Sequence, residues 1–224
     1  MQGTPARTTF MVGPNAVGSI ETIIGACHPW RFRPHFHAGD ELVQILAGRA
    51  RLRFHDACRD VIAGDMVTVP AGVIHRFEPV DRKGWAFRSR FVSSATTGMP
   101  PHDSLRGLCM RVCALLSGRP SLYTDVEAIA QACTVSAGHL ARAFRRETGT
   151  SVHNFHVLLA LHRAKGLLRA GVPIVAAALD AGFYDQAHLN REFVRTFGMT
   201  PVAFRAGWVT ADQAAPDGAR SNAR

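Results

Sequence analysis

Residues 174–205 read IVAAALDAGFYDQAHLNREFVRTFGMTPVAFR, a two-helix unit with a tight corner. Residues 174–181 are almost all small or apolar, which suits a short buried helix, and Gly182 follows where the chain must turn with positive φ. Asp185 stands at the cap of a second helix. In it Leu189 and Phe193 share one face, while Ala187, Arg191, Val194 and Arg195 fall roughly opposite. Gly198 stops that helix, and Thr200-Pro201 opens a last short one with a cap and a first-turn proline. A short helix, a glycine corner and a capped, basic, half-buried helix make a helix-turn-helix, whose second helix is shaped for a DNA major groove.

The pattern recurs 49 residues earlier. His139-Leu140 matches His188-Leu189, Arg142 matches Arg191, Phe144 matches Phe193, Arg146 matches Arg195, Gly149 matches Gly198 and Phe155 matches Phe204. Correspondence over this many side chains marks duplicated structure. Thr124-x-x-Glu127 reads as a capping box for the front helix of this first unit, and Ser136 caps its second helix as Asp185 caps the other.

On these residues, 103–207 resemble the DNA-binding domain of the AraC/XylS family of transcription regulators, with two helix-turn-helix units joined by a long helix. The resemblance implies a double-stranded DNA operator, a small-molecule effector, RNA polymerase and a second copy of the chain (a homodimer) as partners. It also implies a regulator and not an enzyme. Gln186, Ala187, Asn190, Arg191 and Val194 are expected at base edges and Arg195 at phosphate. In the first unit Gly138, Arg142, Arg145 and Arg146 are the expected contact positions. Gly138 and Ala141 carry no polar group, so that helix should bind phosphate more than it chooses sequence. The corner ACTVS (132–136) lacks the glycine usual in the family.

The composition allows this reading. A chain of 224 residues, 47% hydrophobic, has room for two cored domains. The net charge is +9, spread over both halves, so charge alone does not locate a polyanion site. No run of 18 apolar residues and no N-terminal apolar core suggest a membrane span or signal peptide, and the expected location is the cytoplasm. Five cysteines without CxxC spacing fit reduced thiols. Cys109 and Cys113, one turn apart, are a redox or metal pair or simply small hydrophobes on a buried face.

The expected fold class is a two-domain α+β protein: a cupin-like β-barrel or jelly roll over 1–95, a linker over 96–102, an all-α domain over 103–207 and a disordered tail over 208–224. Residues 1–18 read as a loose leader. ETIIGAC, ELVQILAG, RARLRFH, DMVTVP, IHRFEPV and WAFRSRFV then read as short strands, those at 49–55 and 85–92 alternating with period two. Residues 103–118 read as a helix striped with leucine. Residues 151–170 read as a longer one of about 28 Å, suited to spacing two reading helices by nearly one DNA turn. His153, His156 and His162 on it are expected at the surface.

Between the strands, His35-x-His37-x3-Glu41 and Gly64-x5-Pro70-x-Gly72-x2-His75 resemble the two cupin motifs, with Pro29 and Pro79 where a glycine and an asparagine are expected. The resemblance aims His35, His37, Glu41 and His75 into the barrel as an effector pocket. No cofactor is required by it. Three imidazoles and a carboxylate could also hold a divalent metal, sensed, structural or catalytic. Three readings are therefore open: a ligand-responsive transcription regulator, a metal-dependent cupin enzyme fused to a DNA-binding module, and an architectural DNA-binding protein whose barrel only dimerises.

Overall fold

The computed structural model describes residues 8–15, 18–54, 57–92, 107–118 and 121–214. Among them, seven strands precede seven helices: β1 (Thr8–Asn15), β2 (Gly18–His28), β3 (Asp40–Arg53), β4 (Cys58–Ile62), β5 (Met66–Val69), β6 (Arg76–Pro79) and β7 (Trp85–Val92), then α1 (Gly107–Ser117), α2 (Val126–Ala132), α3 (Ala137–Thr148), α4 (Val152–Arg169), α5 (Ile174–Asp180), α6 (Gln186–Phe197) and α7 (Pro201–Ala214).

The strands are antiparallel in the order β1-β2-β7-β3-β4, with β5 and β6 also on β3. One strand serves two sheets. The first part of β3 pairs with β7 and β5, and its last residues pair with β4 and β6. Glu41, Val43 and Ile45 point inward from the first part, Ala50 and Leu52 from the second. The register shift between Ile45 and Ala47 switches the inward set from odd to even positions, since an added residue turns an alternating strand over. ELVQILAG and the RARLR that follows it are thus one bent strand. Gly25 keeps β2 against β7: a Cβ there would stand 2.2 Å from the Phe87 ring.

The helical half repeats as the sequence does. Leu140 and Leu189, Phe144 and Phe193, Phe155 and Phe204 are all fully buried, and Gly149 and Gly198 end α3 and α6 with φ of 72° and 71°. The first corner is one residue shorter than the second. Thr134, φ 58°, takes the left-handed position that Gly182, φ 96°, fills in the other unit, and the backbone bonds match: Thr134 N–H to Gln131 O, Gly182 N–H to Leu179 O. A non-glycine residue in that region is strained, and among the described residues only this corner asks for it.

Several expectations are corrected. Residues 8–15 are not a loose leader but β1, paired along its length with β2. The tail is ordered as far as Ala214, because α7 runs on past Trp208, whose ring lies 4.3 Å from the Arg169 guanidinium carbon. The front helix of the first unit is capped by Asp125, accepting from Ala128 N–H at 2.9 Å, and not by Thr124. Val175 and Leu179 of α5 are more than half exposed, so that helix buries only its alanines. The linker 96–102, residues 103–106 and the tail beyond 214 lie outside the described residues.

His156 and His162 are not at the surface, although His153 is. His156 is fully buried, with Nδ1 2.9 Å from the Thr124 hydroxyl. His162 stacks on Phe36, ring centres 4.4 Å apart, and its Nε2 lies 3.0 Å from the Phe36 carbonyl. That contact belongs to a polar stripe on α4 facing the barrel. Asn154 donates to the Pro34 carbonyl at 3.2 Å, Lys165 reaches Glu21 at 3.1 Å, and Arg169 pairs with the same carboxylate. Residues 154, 162, 165 and 169 share one side of a helix with 3.6 residues per turn. From the other edge Phe10 of β1 packs on Phe204, ring centres 5.0 Å apart. The two halves are joined by buried polar and aromatic contacts.

Candidate effector chamber and nucleic-acid interface

His35, His37 and His75 come together in the barrel, their ring nitrogens within 4.8 Å of one another. His35 and His75 exchange backbone hydrogen bonds, each 2.9 Å, which fixes the two segments side by side. Nδ1–H of His35 donates to the Arg33 carbonyl at 2.7 Å, and that of His75 to the Val73 carbonyl at 3.0 Å. Both rings thus turn Nε2 inward. His75 Nε2 lies 2.9 Å and His37 Nε2 3.4 Å from Glu41 Oε2. Neither nitrogen of His37 makes a hydrogen bond among the described residues.

Burial pushes His35 well below the usual histidine range, helped by the neighbouring His75 and His37, and pushes His37 down against the pull of Glu41. Burial alone would raise Glu41, but the two histidines outweigh it and hold the carboxyl well below its usual range. With Nδ1 of His75 already carrying a proton, a lone pair would face a carboxylate at 2.9 Å. That arrangement calls for a cation between them, a second proton or a metal ion. The donor set, with backbone carbonyls orienting two of the rings, fits a divalent metal.

Beside the cluster is a cavity of about 30 Å³, room for little more than a water molecule. Its walls are aromatic, Phe32, Phe77, Trp85, Phe87 and Phe91, with Ser89 and Ile23 among them. Thr196 and Phe197, from the end of α6, complete the lining. These two were not expected there. Arg33, which joins its side chain to Glu192 of α6 at 2.6 Å, and Glu21 were missed as well. A signal for α6 exists: its buried residues are Leu189, Glu192, Phe193, Thr196 and Phe197. Leu189 and Phe193 repeat Leu140 and Phe144, whereas Glu192, Thr196 and Phe197 stand where the first unit has Ala143, Glu147 and Thr148.

The other face of α6 is open. Gln186, Ala187, Asn190, Arg191, Val194 and Arg195 are all exposed. Arg195 also holds Glu192 at 3.3 Å. On α3, Gly138, Ala141, Arg142, Arg145 and Arg146 are exposed. Asp185 and Ser136 accept from the third backbone N–H beyond them, as caps do. Cys109 and Cys113 are buried against α3 and α4, and burial first of all pushes both thiols up to about 12, so they pack as small hydrophobes.

Residues 18–90 match the AraC-like ligand binding domain, and residues 129–207 match a helix-turn-helix domain. Among characterised proteins, the chain is 32% identical over 110 residues to the arabinose operon regulatory protein of Salmonella typhimurium, covering 48% of this chain and 38% of that protein. It is 37% identical over 79 residues to the regulatory protein Ada of the same organism, covering 35% and 22%. The chain thus spans well under half the length of either relative. A crystal structure of an AraC-type transcriptional regulator from Chromobacterium violaceum aligns at 27% identity and a TM-score of 0.42, covering 44% of this chain and 89% of that one. Among the described residues no helix is long and apolar enough to cross a membrane. One half of the chain thus carries the match to an AraC-like ligand binding domain and the other the match to a helix-turn-helix domain.

Proposed function

We propose that this protein is a sequence-specific DNA-binding transcription regulator, working in the cytoplasm, whose barrel binds a small molecule. The observation that carries it is the exposure of Gln186, Asn190, Arg191 and Val194 on a helix whose opposite face is packed away. α6 reads base edges with these residues and α3 holds phosphates with Arg142, Arg145 and Arg146. α4, 18 residues or about 27 Å long, spaces the two. The arabinose operon regulatory protein supports an operator in double-stranded DNA. A second subunit and RNA polymerase are the further partners of this reading.

The His35, His37, Glu41 and His75 cluster favours a second reading, a metal-dependent cupin enzyme. A divalent metal held by these four would supply Lewis acidity. The matches to an AraC-like ligand binding domain and to a helix-turn-helix domain support a sensing role instead. Selecting random DNA fragments with the full chain tests the proposal. Enrichment of one sequence with two elements about one helical turn apart is expected. Retention of all fragments alike would leave the architectural reading.

A further inference from the structure

The end of α6 seats on the barrel. Phe197 is the last residue of α6 and is buried, its ring centre 6.3 Å from both His35 and His37 and 6.2 Å from His162. The seat is built from three sides. Arg33 bonds Glu192, and its N–H donates to the Arg195 carbonyl at 3.3 Å. The Thr8 hydroxyl donates to the Gly198 carbonyl at 2.8 Å. Phe32 lies so close to Gly198 that a Cβ there would stand 2.9 Å from its ring. The buried α6 residues that depart from the internal repeat are the ones this seat uses, since Glu192 bonds the barrel and Thr196 and Phe197 line the cavity. The first unit, with Thr148 in place of Phe197, turns its hydroxyl back to the Phe144 carbonyl at 2.8 Å.

Resting on the reading of the barrel as an effector domain, we propose that the effector site is shared between the domains. The Phe197 ring occupies the space that the apolar part of an effector takes, and an effector enters by displacing it. A cavity of about 30 Å³ admits nothing larger than a water molecule or an ion while the ring is in place. Removing a phenyl ring opens room for one six-membered ring among Phe32, Trp85, Phe87 and Phe91. The polar end of that space is a buried carboxylate, Glu41, with His37 Nε2 3.4 Å from it. A carboxylate accepts hydrogen bonds and repels anions, so the ligand is a small neutral aromatic molecule with one donor, such as a hydroxyl. Occupancy of the chamber and seating of α6 exclude each other. The ligand therefore acts on the reading helix itself, by unequal affinity for its seated and unseated arrangements.

Phenol is the probe: one ring, one hydroxyl and no charge. Calorimetric titration of the full chain is expected to give affinities that rise from wild type through Phe197→Leu to Phe197→Ala, with the alanine variant tighter than wild type by about tenfold or more, or roughly 1.4 kcal/mol. In a Trp30→Phe, Trp208→Phe background, the fluorescence of the remaining Trp85 should change as phenol binds. The leucine variant carries the test should the alanine variant fold poorly. Equal affinities across the series overturn the proposal, and so does tight binding that leaves Trp85 unperturbed, because phenol then sits elsewhere. DNA selection with the wild-type chain is scored separately. Loss of sequence preference there sinks the regulator reading and leaves the phenol series as a test of the shared chamber alone.

Discussion

Arg33 of the barrel and Glu192 of α6 meet at 2.6 Å, Nη1 to Oε2, across a sequence separation of 159 residues. Glu192 is almost completely buried, and Arg195 is its second partner at 3.3 Å. Removing Arg33 leaves the carboxylate with one partner, itself mostly exposed. Arg33→Met is expected to lower the stability of the full chain by about 1–2 kcal/mol, below the cost of breaking a fully buried pair because the arginine is itself partly solvated. Urea unfolding of the two proteins measures it. An unchanged midpoint would show that the backbone contact to Arg195 alone holds the helix.

Base reading is concentrated in α6. Arg191→Ala is expected to cost about 1–3 kcal/mol in DNA affinity and to relax the choice at one base position. Arg142→Ala in α3 is expected to weaken binding to all sequences alike and to flatten the salt dependence. Competition binding against single-base variants of the selected sequence separates the two. Equal loss on every sequence for Arg191→Ala places that side chain on the phosphates.

Much of the helical half was legible because its signals are local. A glycine after each second helix, Ser136 and Asp185 as caps and the Leu-x3-Phe spacing each act within a turn or two, and the duplication states them twice. The cluster of His35, His37, Glu41 and His75 was legible for a related reason, since alternation along a strand sends the first two to one side. What escaped was the docking of one half on the other. Arg33, Glu21, Lys165 and Arg169 look like any solvated charges until their partners, more than a hundred residues away, are in place. Nothing local to Phe197 marks it as a barrel contact. β1 was hidden because Gly, Pro, Thr and Asn dominate residues 1–18 as a whole, which masks the strand-favouring run Thr8–Val12 that pairs with β2.

The paired phenylalanines predict equal structural roles. Phe193→Ala and Phe144→Ala each remove a fully buried ring, and each is expected to destabilise by about 3–5 kcal/mol through lost burial and the cavity left behind. DNA binding should fail only to the extent that the protein unfolds. Thermal unfolding beside DNA titration at low temperature checks this. A Phe193→Ala protein with unchanged melting temperature and no DNA binding would place the ring on the DNA face.

The barrel–α4 contact should be sensitive to acid. Burial, with Lys165 and His37, pushes His162 down to about 3. Its folded value lies below the ordinary unfolded value of about 6.5, so the unfolded chain takes up the proton first as pH falls. The stabilisation is complete above about pH 6.5 and is lost progressively toward about pH 3. Urea midpoints of wild type are expected to fall from neutral to mildly acidic pH, and those of His162→Gln to fall less over the same range. Parallel curves would show that other groups carry the acid sensitivity.

His37 and His75 should matter more for response than for basal DNA affinity. His37 lines the chamber with Phe197 and His75 pairs with Glu41, whereas Gln186, Asn190, Arg191 and Val194 lie on the exposed face of α6. Their nitrogens and Glu41 fit a divalent ion, so added Co²⁺ is expected to bind the full chain at one equivalent and to raise its melting temperature, and His37→Ala, His75→Ala to abolish both effects. The double variant, shown to be folded by its unfolding transition, should retain wild-type affinity for the selected DNA. A coupling between chamber and α6 of about 1–3 kcal/mol would change DNA affinity about 5- to 150-fold on occupancy. That change should be present in the wild-type chain with phenol and reduced in the double variant. Full retention of the response by the double variant would falsify the role of these histidines in sensing. Loss of DNA binding by a folded double variant, without any ligand, would show instead that the cluster holds α6 in its reading position.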